Sequence, residues 1–286
     1  MKTNHVGVNY LQRADGRLAY TVDGTGPLII AVPGMGDLRS VYRDLTGPLA
    51  AAGYRVATMD LRGHGDSDTT FTVHGDAVTG EDILALIDEL GEPAIVLGNS
   101  MGASAAAWAA AERPAAIDGL VLLGPFLREP VTNRLAQASM RLLYRVLFSR
   151  PWGAAAWARF YASLNKGTPA PWLDEHRADI HRSLRQPGRL RSLRHLAVAL
   201  GHAEVEVRLP EITSPSLVLI GDQDPDFPSP ADELAWATAA VHGEGALVPN
   251  AGHYPHAQQP AIVLAHLMPF LAATRPTARN PRPTDG

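Results

Sequence analysis

The sequence predicts an α/β fold, a mostly parallel central sheet flanked by helices and interrupted by one inserted helical segment. Three observations lead there. Over residues 1–126 short apolar runs alternate with helix-length patterns, as expected when strands buried on both faces are joined by crossover helices. From 127 to 210 the alternation stops and only helical periodicity remains. Over 211–272 it returns, so the core is split in sequence around the insertion.

Taken in order, Leu28 to Val32, Arg55 to Asp60, Ala94 to Leu97 and Leu120 to Leu123 read as parallel strands. Between them Ser40 to Ala52, Glu81 to Leu90 and Ser100 to Glu112 carry helical spacing or alanine propensity, each closed nearby by glycine or proline. In the insertion Met140, Leu142, Leu143, Val146, Trp157, Phe160 and Leu184 are the expected apolar anchors of helices. Ser216 to Ile220 and Gly245 to Val248 resume the strands, with helices expected over Ala231 to Val241 and Pro260 to Ala272. The segment 273–286 is proline-rich, charged and aperiodic, which predicts a disordered tail.

Composition narrows the chemistry. With 286 residues, 46% hydrophobic and 19% charged, the chain has ample apolar side chains for a buried sheet. It contains no cysteine, which removes disulfides, thiolate metal sites and a cysteine nucleophile. Met1 to Arg17 has no apolar signal region, and no stretch reaches the length of a membrane span, so a cytoplasmic protein is the expectation. A net charge of −4 gives no argument for nucleic acid. Its distribution is uneven: residues 127–210 carry 14 basic and 6 acidic side chains, which reads as solvated arginine faces or as a surface that attracts anions.

The most informative motif is Gly98-Asn99-Ser100-Met101-Gly102, a G-x-S-x-G that follows an expected strand and opens an alanine-rich helix. At so sharp a turn, a side chain at either flanking glycine would collide with the neighbouring strand or helix. Ser100 is thereby presented at the carboxyl end of the sheet, over the positive end of a helix. A serine hydroxyl needs a base to attack, and His253, in Asn250-Ala251-Gly252-His253, is placed to supply it. His256 is its rival; Gly252 directly before His253 favours the first. A carboxylate must orient that imidazole, and Asp222, Asp224 and Asp226 all alternate in the loop after Ile220. Two backbone N–H donors should stabilise a developing oxyanion: that of Met101, and that of Met35 in the glycine loop Pro33-Gly34-Met35-Gly36 after the first parallel strand.

With these residues in the order Ser, Asp, His, the chain resembles the α/β-hydrolase superfamily, in particular its capped serine esterase, haloperoxidase-like and carbon–carbon bond hydrolase branch. Asp60-Leu61-Arg62-Gly63-His64-Gly65-Asp66-Ser67 looks like that family's turn after the strand preceding the nucleophile strand. Gly221, Asp224 and Pro228 match its acid loop, so the resemblance implies Asp224 as the triad acid with Asp226 as runner-up. His64 is read as a brace for its turn. One departure is visible: the family usually has His-Gly at the oxyanion loop, where this chain has Pro33-Gly34.

The resemblance implies hydrolysis of a carboxylic ester or related acyl compound through an acyl-Ser100 intermediate, on a small-molecule substrate, with no metal or organic cofactor. The insertion would be a cap, with Met140, Leu143, Trp157 and Phe160 as candidates for the apolar pocket wall. Two alternatives stand beside it: carbon–carbon bond hydrolysis of a diketone-like substrate, for which a basic cap is suited, and a receptor that keeps the hydrolase scaffold without turnover.

Overall fold

A computed structural model describes residues 7–129 and 133–274. Among the described residues eight strands form one sheet: β1 (Asn9–Arg13), β2 (Gly16–Asp23), β3 (Leu28–Val32), β4 (Arg55–Met59), β5 (Ala94–Asn99), β6 (Ile117–Leu123), β7 (Ser216–Gly221) and β8 (Glu244–Val248). Their order is β1-β2-β4-β3-β5-β6-β7-β8, with β1, β2 and β4 paired antiparallel and every later neighbour parallel. The expected α/β fold with a mostly parallel sheet is therefore what the chain adopts. The sequence reading did not foresee β1 and β2. They form an antiparallel edge, and β1 buries only its middle residue, Leu11, so it lacks the apolar run that marks the inner strands.

The inner strands supply two cores, one on each face. Leu28, Ile30 and Val32 point to one side with Val96, Leu120, Leu122, Val218 and Ile220, while Ile29 and Ala31 point to the other with Ile95, Leu97, Val121, Leu217 and Leu219. The flanking helices are α1 (Arg43–Ala51), α2 (Asp76–Leu90), α3 (Met101–Glu112), α9 (Pro230–Ala240), α10 (Pro255–Gln258) and α11 (Pro260–Thr274). Alanine fills α3 because the helix is buried along nearly all its length between the sheet and α2, where small side chains allow close approach. Ahead of α1, Arg39–Tyr42 is a 3₁₀ turn, so the helix expected from Ser40 begins tighter than foreseen.

Between β6 and β7 the chain runs through α4 (Arg134–Leu147), α5 (Gly153–Ser163), α6 (Leu173–Arg185), α7 (Arg189–Ala199) and α8 (Ala203–Glu206), with no strand among the described residues. Trp157, Tyr161, Leu184 and Leu193 are buried there. Leu142, Leu143 and Val146 are not the anchors their spacing suggested: each is more than half exposed, because α4 turns much of its apolar face outward. The tail expected over 273–286 lies outside the described residues from 275 on, while Ala273 and Thr274 still belong to α11. No helix among the described residues is long and apolar enough to cross a membrane.

Candidate active site

Strand order reverses around β3 and β5, and the loops after these two neighbours meet at the carboxyl edge of the sheet, where open α/β folds form their crevice. Ser100 caps α3 with φ 56° and ψ −124°, a conformation rare for a non-glycine residue. The flanking glycines make it possible. A Cβ on Gly98 would lie 2.4 Å from the Gly102 oxygen, and one on Gly102 would lie 2.4 Å from the Val32 oxygen. The turn is tied down by the Ser100 N–H, which donates to the Leu123 carbonyl at 2.9 Å.

Asn99, which the motif leaves unspecified, links two loops. Its Nδ2 donates to the carbonyls of Leu123 at 3.0 Å and His253 at 3.1 Å, joining the serine turn to the histidine loop across 154 residues of sequence. That loop is held from the other side as well, since the His253 N–H donates to the Leu164 carbonyl and the Gly252 N–H to Gln258.

Of the three candidate acids, Asp224 is buried and its Oδ2 lies 2.8 Å from His253 Nδ1. Asp226 Oδ2 is 3.5 Å from the same nitrogen, and its backbone N–H donates to Asp224 Oδ1. Asp222 is exposed. Burial alone would lower the His253 pKa, but the charge and hydrogen bond of Asp224, with the charges of Asp226 and Asp37, raise it to about 9. Burial, partly offset by His253 and reinforced by Asp224, raises the Asp226 carboxyl. Asp224, Asp226 and His253 also bring potential metal-ligating atoms within 4.8 Å of one another, although Nδ1 is already engaged by Asp224. The rival His256 is fully buried against Tyr42, with both ring nitrogens sealed and unpartnered and its pKa lowered by burial to about 3.

Ser100, Met35, Met101, Asp226 and His253 all line one cavity of about 230 Å³. Among the described residues no hydrogen bond joins Ser100 to His253, as is common before a ligand draws such groups together. Among the described residues neither the Met35 nor the Met101 N–H has a protein acceptor, and both residues line the cavity. Met140, Trp157 and Phe160 line the same space as expected, but Leu143 does not.

The loop lacking the family's histidine is braced by other means. His64 donates from Nδ1 to the Arg62 carbonyl at 2.9 Å and accepts the Gly36 N–H on Nε2 at 3.2 Å, a neutral tautomer consistent with burial lowering its pKa to about 4. It thus braces more than its own turn. The Trp157 indole donates to the Gly36 carbonyl at 2.9 Å, and a Cβ on Gly36, whose φ is 73°, would strike that ring at 2.2 Å. Buried Asp37 accepts from Tyr161 at 3.1 Å and pairs with His176 at 2.6 Å, pinning the loop to α5 and α6. Sequence reasoning missed Asn99, Asp37 and His176. Only Asp37, one residue beyond the glycine loop, carried a positional hint.

A family model described as serine aminopeptidase, S33, matches residues 25–260. The chain is an α/β-hydrolase. Over 86% of its length this α/β-hydrolase is 26% identical to the AB hydrolase superfamily protein YfhM of Bacillus subtilis, covering 90% of that protein. A 135-residue stretch is 33% identical to a 2-hydroxy-6-oxononadienedioate/2-hydroxy-6-oxononatrienedioate hydrolase of Comamonas testosteroni, spanning 45% of this chain and 46% of that one. Among solved structures, a thermophilic esterase from Thermogutta terrifontis superposes with a TM-score of 0.78 at 22% identity, covering 94% of this chain and 99% of the other, and so shares the fold.

Proposed function

We propose that the chain is a serine hydrolase of carboxylic esters or related acyl compounds, with Ser100 as nucleophile, His253 as general base and Asp224 as the orienting acid. The observation that carries this reading is the strained, cavity-facing Ser100 at a helix N-terminus, beside an imidazole whose other nitrogen is held by a buried carboxylate at 2.8 Å. His253 Nε2 takes the Ser100 proton as Oγ attacks the substrate carbonyl. The negative charge on the carbonyl oxygen meets the Met35 and Met101 N–H groups. His253 returns the proton to the leaving alcohol, leaving acyl-Ser100. Water then attacks that acyl group, His253 accepting its proton and handing it to Ser100 as the acid departs. Each step is supplied by groups of this chain.

Residues 127–210 act as a cap that roofs the cavity, a role supported by Met140, Trp157 and Phe160 in its wall. The character of that wall favours neutral acyl substrates over acidic diketone-like ones. Among the described residues Arg141 is the one basic side chain of the cap that lines the cavity, where Glu129 and Asp226 oppose it. Others are engaged elsewhere, Arg182 with Asp179 and Arg208 with Glu112 and Glu211. The test is turnover of p-nitrophenyl esters of rising chain length, with mass spectrometry of the quenched enzyme. Hydrolysis with an acyl adduct on Ser100 is expected. A folded protein that hydrolyses none of the series and forms no adduct would leave the receptor reading in its place.

A further inference from the structure

Among the described residues six histidines are buried, and two of them, His253 and His202, line the cavity. His202 precedes α8 and is 5% exposed. Its Nδ1 lies 2.7 Å from Oδ2 of Asp76, the first residue of α2 and itself 4% exposed. This repeats the His253–Asp224 arrangement, and both imidazoles neighbour one aromatic ring. Phe126 stacks on His202 at 5.5 Å with the rings 10° from parallel, and its other neighbours include His253 at 5.8 Å. The backbone is fixed too, because the His202 N–H donates to Glu129 Oε2 at 3.0 Å.

The second ring nitrogen distinguishes His202 from the other buried histidines outside the proposed triad. His64 and His176 have both nitrogens engaged, His256 has both sealed from solvent, and His74 has its Nε2 sealed and unpartnered. Among the described residues His202 Nε2 has no hydrogen-bond partner, yet it is not among the sealed polar atoms. A preorganised imidazole with one nitrogen fixed by a carboxylate and the other open to a mostly apolar cavity is a polar recognition point for a ligand.

We propose that the Asp76–His202 pair is a specificity subsite that binds a hydroxyl on the substrate, on the arm lying over Phe126. A hydroxyl both donates and accepts, so it satisfies Nε2 whether or not that nitrogen carries a proton. A carboxylate is unsuited to the place, since Asp76 and Glu129 already bring two acidic side chains to His202. The pair also ties the cap to α2, so loss of cap attachment must be separated from loss of recognition. This inference rests on the serine-hydrolase reading for its kinetic test but not for its binding test.

The experiment uses p-nitrophenyl esters from butyrate to octanoate, each with and without a terminal hydroxyl or carboxylate, together with butyrate esters of alkanols and of the matching diols. Wild type is expected to favour a hydroxylated ester about tenfold in kcat/KM at one chain length in one of the two series, through KM, and to disfavour the carboxylates. His202→Phe, which keeps the aromatic stack, should remove that preference, bringing the ratio of kcat/KM for hydroxylated and plain esters to about one; His202→Gln should restore part of it. Equal losses on plain and hydroxylated esters would mark a merely structural pair, and a wild type indifferent to the hydroxyl in both series would overturn the subsite. Should no ester be turned over, calorimetric binding of an alkanol against its matching diol reads the same split. A wild-type preference for the diol that is lost in His202→Phe supports the subsite even then, and equal binding refutes it.

Discussion

Two sets of serine, histidine and aspartate stand out among the described residues, and the proposed function assigns the chemistry to only one of them. Ser40 Oγ lies 3.4 Å from His176 Nδ1, and His176 Nε2 lies 2.6 Å from buried Asp37, a carboxylate–imidazole contact as short as that between Asp224 and His253. The surroundings differ. Arg43 Nη2 donates toward the same His176 Nδ1 at 3.3 Å, occupying the lone pair that a general base would use. Ser40 sits in a 3₁₀ turn with ordinary backbone angles, and neither it nor His176 lines the Ser100 cavity. Ser100 has a strained backbone and a helix N-terminus beneath it, and it shares its cavity with Met35 and Met101, whose N–H groups have no acceptor among the described residues. The comparison teaches that a short histidine–aspartate contact is a packing element this chain uses repeatedly, and that chemistry depends on what the free ring nitrogen faces.

The sharpest way to break this comparison is to exchange which serine is removed. Ser100→Ala should lower kcat by about six orders of magnitude, whereas Ser40→Ala should stay within about twofold, both measured on one p-nitrophenyl ester. The acids come next. Asp224→Asn should cost about 10⁴-fold in kcat by freeing the wrong tautomer, and a large loss in Asp226→Asn with little in Asp224→Asn would reverse the assignment. Asp37→Asn strikes the other set: it leaves His176 and Tyr161 without their carboxylate, and should cost about 3 kcal/mol of stability by denaturant midpoint. Its effect on turnover should be far smaller than that of Asp224→Asn.

The smallest expected effect concerns pH. His253 must be neutral to accept a proton, and its pKa is raised to about 9, so kcat/KM should climb through neutral pH, reach half its limiting value near pH 9 and level off only above that. The linked stability runs the other way. A folded pKa raised above the ordinary 6.5 contributes stability that is fully present below pH 6.5 and is lost as pH rises through 9. Asp226→Asn removes one of the charges that raise this pKa, and should move the activity limb to lower pH, increasing the rate at pH 7 about two- to threefold. An unmoved limb would mean that Asp226 does not act on the imidazole.

Much of the fold was legible because inner parallel strands are continuous apolar runs: the range Leu28 to Val32 matches the structure, and the other five expected strands differ by a few residues at their ends. The edge strands were not legible, since Asn9–Arg13 is mostly polar and exposed. Ser100 and His253 stand out as candidates through their local glycine patterns, but the choice among Asp222, Asp224 and Asp226 depends on which carboxylate the loop turns inward. Pairings made only in three dimensions were not legible, as between Asp37 and His176, 139 residues apart, and between Asp76 and His202, 126 apart, even though Asp37 itself lies one residue beyond the glycine loop. In α4, apolar spacing suggested burial for Leu142, Leu143 and Val146, but periodicity marks a face without saying what covers it.

The most direct test treats the folded protein with a fluorophosphonate and locates the adduct by mass spectrometry of its peptides. Phosphonylation confined to Ser100, abolished by Ser100→Ala, suppressed by His253→Ala and unaffected by Ser40→Ala is the expected result. Labelling at Ser40, or a Ser100 that stays unmodified while the wild-type fold is intact, would contradict it.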